Sequence, residues 1–319
     1  MKKIILLLLV TVPVICFGQT KKLYRKALRT VDLNEKITIL TQVIHAEPNH
    51  LDAYFYRAIA KNDLKDFHGA IVDYSKIIVE APDADSYYNR GNSRYSLQDF
   101  VGAKEDYAKA FMLDNHFLDA LYSLACVRFD LGENEKAIAD LNRYIIKVPN
   151  NSLAYKLRAS AYTNIANYQA ALNDYSNAVL LAPSADTYYD RGVFLLELNY
   201  FKEANADLKT ALTLGGNNGY AYFYRGVSNV LLGQFKEAIS DLSKTITYDT
   251  LDFDAYLALA IAYNKIGDIA KAKENFKKAN AIISPERIIT GIDQYKNTYW
   301  FQTRYNYFNR ALNALVRLK

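Results

Sequence analysis

One alanine recurs along the chain at a step of 33 or 34 residues: Ala70, Ala103, Ala137, Ala171, Ala204, Ala238 and Ala272. A period of that size belongs to solenoids, in which short supersecondary units stack and each packs only on its neighbours. Twelve residues before each alanine stands a second small residue, in turn Ala58, Gly91, Ala125, Ala159, Gly192, Gly226 and Ala260. Two small columns predict two helices whose backbones nearly touch, a contact that larger side chains would overpack. Bulky residues flank it at helical spacing. Tyr54, Tyr87, Leu121, Tyr155, Tyr188, Tyr222 and Tyr256 lie four before the first small column, and Tyr74, Tyr107, Leu141, Tyr175, Leu208, Leu242 and Phe276 lie four after the second.

A further column, Phe67, Phe100, Asn134, Tyr168, Phe201, Phe235 and Ile269, opens the second helix, and Pro82, Pro149 and Pro183 close units. In its small pair, the bulky residue before it and the terminal proline, the chain resembles the tetratricopeptide repeat family. The resemblance implies an all-α, right-handed superhelical solenoid of stacked antiparallel helix pairs. Seven full units are expected at 51–83, 84–117, 118–151, 152–184, 185–218, 219–252 and 253–285. Residues 19–50 read as an N-terminal cap or partial unit, because the alanine column fails at Lys36 although Pro48 keeps the step to Pro82. From 286 to 319 the columns stop. Ile288, Ile292, Tyr295 and Tyr299 form one apolar stripe, and Phe301, Tyr305, Phe308, Leu312 and Leu315 form another. Trp300 stands where they meet, and this aromatic region is expected to cap the open end as one long helix or two bent ones, with a partner-docking face as the alternative.

The chain opens with Lys2 and Lys3 ahead of an apolar run from Ile4 to Ile15, broken only by Thr11 and Pro13. This reads as a secretory signal peptide, residues 1–18, with cleavage after Gly18; the run is shorter than the ~20 residues that span a bilayer. Lipidation of Cys16 is the competing reading, disfavoured by Ile15 where a small residue is wanted. An exported protein, periplasmic, secreted or associated with the outer membrane, is therefore expected. After cleavage Cys126 is the only cysteine, so stability is assigned to repeat stacking rather than to an internal disulfide. Charge is uneven. Lys21, Lys22, Arg25, Lys26 and Arg29 make the first residues of the mature chain basic, and six basic residues stand against Asp293 alone in 287–319. These ends read as solvated caps or as contacts to anionic lipid, surface polysaccharide or an acidic partner.

Arg57, Arg90, Arg158, Arg191 and Arg225 each precede an aspartate by sixteen residues, namely Asp73, Asp106, Asp174, Asp207 and Asp241. A partly buried ion pair that fixes register is the expected role. Leu124 breaks the pattern although Asp140 remains, and Leu259 goes with Asn275. Catalytic and metal constellations do not emerge. The histidines, His45, His50, His68 and His116, have no second ligand at zinc spacing, and neither a phosphate loop nor an activated nucleophile is recognisable. The expectation is therefore no enzyme, no metal and no cofactor. The acidic body and the assignment of most tyrosines to core columns speak against nucleic acid.

What the resemblance implies instead is a non-catalytic scaffold that takes a protein or peptide segment in its concave groove. The matching positions hold Phe55, Tyr88, Tyr122, Tyr189 and Phe223, with Tyr95 and Phe129 further along the helices. Relatives that clamp a C-terminal carboxylate use Lys, Asn and Arg there. Here those places are aromatic, and Asp52, Asp85, Asp119, Asp186 and Asp254 hold the second position of their units, so a basic or neutral ligand fits better. An assembly factor touching membrane or polysaccharide through the basic ends is the alternative. The sequence sets no oligomeric state.

Overall fold

The computed structural model describes residues 16–215, 218–284 and 291–318. The leader up to Ile15, together with Pro285, Arg287, Ile288 and Lys319, lies outside the described residues. Among the described residues the chain is helical with no strand, and none of its helices is long and apolar enough to cross a membrane. It divides into two compact units, one up to Pro149 and one from Asn150. The first holds α1 Cys16–Arg29, α2 Leu33–Ala46, α3 Leu51–Asp63, α4 Phe67–Glu80, α5 Ala84–Ser96, α6 Phe100–Leu113, α7 Leu118–Asp130 and α8 Asn134–Lys147. The second holds α9 Ser152–Asn164, α10 Tyr168–Leu181, α11 Ala185–Glu197, α12 Phe201–Thr213, α13 Gly219–Leu231, α14 Phe235–Tyr248, α15 Phe253–Lys265 and α16 Ile269–Ile283, then a 3₁₀ turn Ile292–Tyr295 and α17 Tyr299–Val316. Within each unit the helices pack in consecutive pairs.

Local chemistry sets the helix ends. Asp66, Asp99, Asn167 and Asp268 cap second helices by accepting from the backbone N–H three residues on, and Asp83, Asn151, Ser184, Asn218 and Asp252 cap first helices. The turn inside each pair needs one residue in the left-handed region. Gly132, Gly233 and Gly267 supply it without strain, whereas Lys65, Gln98, Ala166 and Asn199 adopt it with a Cβ attached.

The close helix contact forms at the small columns. A Cβ added to Gly91 would stand 2.8 Å from the Tyr107 ring, and one on Gly226 would stand 2.7 Å from Leu242 Cγ. Beside this contact, in five of the helix pairs, lies the arginine–aspartate pair, made between the two helices of the same pair. Arg57 donates through Nε and a terminal nitrogen to both oxygens of Asp73, at 2.9 and 2.6 Å, and Arg90, Arg158, Arg191 and Arg225 repeat the fork on their own aspartates. A third bond reaches the preceding pair, from Arg57 to Thr41 Oγ1 and from Arg90 to Ser75 Oγ. Each of the five guanidinium groups also lies over the tyrosine three residues earlier, 5.4 to 5.8 Å from its ring centre. The pairing is thus an element of register, with an addition that the sixteen-residue spacing does not reveal. Twelve residues before the aspartate, Lys61, Arg94 and Arg128 bring a further cation to Asp73, Asp106 and Asp140. Arg128 thereby takes over where Leu124 replaces the usual arginine.

The first pair, α1 and α2, packs through Ala27, Leu40 and Val43 onto Ala53 of α3 rather than through the alanine column. Its five basic residues, Lys21, Lys22, Arg25, Lys26 and Arg29, are all exposed.

Two outcomes follow for stability. Asp106→Ala leaves Arg90 and Arg94 without their shared carboxylate and is expected to destabilise by on the order of 3 kcal/mol, read as a lower urea midpoint with an unchanged slope. Ala166→Gly relieves a left-handed alanine at φ 58° and is expected to raise the midpoint, by up to about 1 kcal/mol, where glycine elsewhere in a helix pair lowers it.

Candidate protein-binding face

In the first unit, α3, α5 and α7 present a row of aromatic side chains. Phe55, Tyr88 and Tyr122 sit at the fifth position of their helices and are half-buried, as is Phe129, while Tyr95 is 37% exposed. Four of these rings rest on a second-helix or loop aromatic that fixes their pose: Phe55 on Tyr74 at 5.8 Å, Tyr88 on Phe117 at 4.8 Å, Tyr95 on Phe100 at 5.2 Å and Tyr122 on Tyr144 at 5.1 Å. Between α5 and α7 the Tyr95 hydroxyl donates to Asp130 at 2.6 Å, and this bond, with burial, pushes the phenol up to about 12. Tyr122 is hydrogen-bonded to Cys126, whose thiol burial pushes up to about 11. A thiol raised that far favours its protonated form at neutral pH.

The second unit differs. Tyr189 is half-buried, edge-on to Tyr224 at 6.1 Å, but Phe223 is only 6% exposed and is not available to a partner. This corrects its placement in an open groove. The cause is α17, which runs across the first helices α15, α13 and α11. Tyr299 sets its ring edge-on to Phe223 at 5.5 Å and Tyr224 at 5.9 Å. Its backbone N–H donates to Asp254 Oδ2 at 3.0 Å, and Trp300, fully buried, donates from Nε1 to the Asp254 carbonyl at 3.0 Å. Arg304 reaches the Leu196 carbonyl at 2.5 Å and lies over the Phe201 ring. Phe308, Leu312 and Leu315 then enter the core that Leu257 and Ile261 line.

The expected stripe of α17 holds at Phe308, Leu312 and Leu315, which are buried, and changes in its first half. Trp300 is fully buried while Phe301 packs only half-buried against the same core, and Tyr305 is 43% exposed, because Arg304 has non-helical angles (φ −134°, ψ 36°) that shift the register between the halves. A sequence signal for this cover existed. At the ninth and twelfth helical positions, where α3, α5 and α7 carry Ile59, Asn62, Asn92, Tyr95, Cys126 and Phe129, α13 carries Val227 and Val230 and α15 carries Ile261 at the ninth; at the fifth, where the first unit carries Phe55, Tyr88 and Tyr122, α15 carries Leu257, and all four of these aliphatic side chains are buried. Aliphatic side chains on a face the repeat leaves open imply that something lies on it.

Among the described residues no group of three or more histidine, cysteine or acidic side chains could hold a metal.

Comparison with known proteins agrees with this architecture. A tetratricopeptide repeat model matches residues 84–117 and 253–284, and a second one matches 119–151. The chain is similar to the C-terminal part of a repeat-containing protein from Cytophaga hutchinsonii, 18% identical with a TM-score of 0.61, covering 73% of this chain and 96% of that one. A tetratricopeptide repeat protein from Parabacteroides merdae is 16% identical with a TM-score of 0.58, covering 77% and 100%. The Cut9–Hcn1 hetero-tetramer of APC/C matches over 95% of this chain at 16% identity and a TM-score of 0.53, and the chain spans 55% of that partner's length. At these identities the likeness is one of fold. No curated protein matches the sequence.

The seat of α17 carries a pH signature. Burial pushes the Asp254 carboxyl up to about 7, with neighbouring Asp252 adding and the Tyr299 N–H opposing. A carboxyl raised in the folded state favours folding most below its unfolded value of about 4, and that contribution is lost as pH rises through 7. Asp254→Asn keeps an acceptor for Tyr299 without the charge. Its melting temperature relative to wild type is therefore expected to rise between pH 5 and pH 8, and a constant difference would show that Asp254 does not titrate there.

Proposed function

We propose that the chain, whose repeats match the tetratricopeptide repeat, is a protein–protein interaction scaffold, and that its binding surface is the face of α3, α5 and α7 in the first unit. The observation that carries this reading is the contrast between units: the same face is filled by α17 in the second, whereas in the first its aromatics remain partly exposed over fixed supports. Rigid aromatic rings that are held in place lose little entropy on binding, which makes them effective anchors for a partner segment. We further propose that the chain is non-catalytic and acts in the bacterial cell envelope, periplasmic or outer-membrane-associated, on the strength of its leader-like first 18 residues.

A second reading rests on one specific feature. The exposed lysines and arginines of α1 form a basic end suited to anionic lipid or polysaccharide. Release from envelope fractions by high salt, and loss of that association on neutralising Lys21, Lys22, Arg25, Lys26 and Arg29, would favour it.

The scaffold reading is tested by affinity capture from envelope extracts, with wild type beside Tyr88→Ala/Tyr122→Ala and Tyr189→Ala, after equal helical circular dichroism is confirmed. The double variant is expected to lose the partner, at least about tenfold by recovered amount, and Tyr189→Ala to keep it. Equal recovery by all three would move recognition away from the aromatic face.

A further inference from the structure

The charge of the α3–α5–α7 face is unbalanced, and helix stability explains only part of the imbalance. These three helices contain five cations, Arg57, Lys61, Arg90, Arg94 and Arg128, and all five are committed to the buried aspartates of α4, α6 and α8. Their own exposed carboxylates, Asp52, Asp63, Asp85, Asp119 and Asp130, have no lysine or arginine partner among the described residues. Asp52, Asp85 and Asp119 stand in first turns, where the helix dipole favours negative charge. Asp63 and Asp130 are the last residues of α3 and α7, where the dipole opposes it. Asp63 and Asp130 thus stand against the dipole beside the aromatic row, Asp130 held by the Tyr95 hydroxyl and neither with a counter-ion among the described residues, which makes the face complementary to cations supplied by a partner.

The second unit holds a built example of what such a face accepts. Four repeats after Tyr88 and Asp119 stand Phe223 and Asp254, and on them sits the start of α17, with one ring on the phenylalanine and one backbone N–H on the aspartate. From Thr298 to Leu318 that segment carries Arg304, Arg310 and Arg317 and no carboxylate. Resting on the proposed binding face, we infer that the occupant of α3–α5–α7 is a helical segment of the same make: aromatic anchors at successive turns, arginine or lysine between them, and no acidic residue.

The probe is a fluorescein-labelled synthetic peptide of residues 298–318, titrated by anisotropy into the full chain, beside the same peptide with Arg304, Arg310 and Arg317 changed to glutamate. Protein variants are Asp63→Asn/Asp119→Asn/Asp130→Asn, which preserves shape, and Tyr88→Ala/Tyr122→Ala. Saturable binding is expected for the basic peptide, weakened about tenfold or more by charge reversal and by either variant, and weakened by added salt. If the tyrosine variant loses binding while charge reversal and the asparagine variant do not, the face reading stands and the basic partner is overturned. If the tyrosine variant binds as wild type, the peptide sits elsewhere, as it would by displacing α17, and the inference falls with the face. Absence of any binding also overturns the inference, and the capture experiment then decides the face alone.

Discussion

Every arginine-bearing helix pair is organised around a carboxylate buried between its two helices. The small residue beside it lets the backbones close, and the guanidinium fork then ties the first helix to the second, with Arg57 and Arg90 reaching the preceding pair as well. Burial makes this strong and also obligatory, since an aspartate at that depth without its partner would be an uncompensated charge. In the first unit the arrangement draws in a further cation, from Lys61, Arg94 or Arg128. The consequence reaches the surface. With the cations of α3, α5 and α7 turned inward, the charges these helices show the solvent are carboxylates, so the interaction that fixes register also sets the sign of the face.

The second unit resolves the same geometry differently. Its first helices α13 and α15 carry Val227, Val230, Leu257 and Ile261 where the first unit, Ile59 apart, carries polar and aromatic residues, and α17 covers them with Trp300, Phe308, Leu312 and Leu315. Burying four large side chains is worth several kcal/mol at roughly 1.5–3 kcal/mol each, enough to make this cover part of the fold rather than a loose strap. One repeat architecture thus yields a closed face and an open one, and the difference lies in a handful of positions per helix.

Much of this was legible in the sequence because it is periodic. The seven alanines, their small partners and the flanking tyrosines specify helix pairs at a fixed step, and Arg57 with Asp73 specifies the clamp. Features outside the period were not legible. Arg128 rescues Asp140 from a position four residues beyond the expected one, which only helix geometry reveals. The path of α17 depends on a break at Arg304, and no proline or glycine marks it. Phe223 looked like its counterparts Phe55 and Tyr88, and its burial is decided by a segment some eighty residues later. The valines, leucine and isoleucine around it held the clue, readable only by comparison across repeats.

The central claim is that α17 closes the first-helix face of the second unit while that of the first stays open. Hydroxyl-radical footprinting of the full chain, read by mass spectrometry, tests it directly. Tyr88, Tyr95 and Tyr122 are expected to be oxidised far faster than Phe223, Tyr299 and Trp300, although tryptophan is intrinsically the most reactive of these side chains. Rapid oxidation of Trp300 and Phe223 in the native chain would mean that α17 does not lie where the account places it, and the contrast between the two faces would fail.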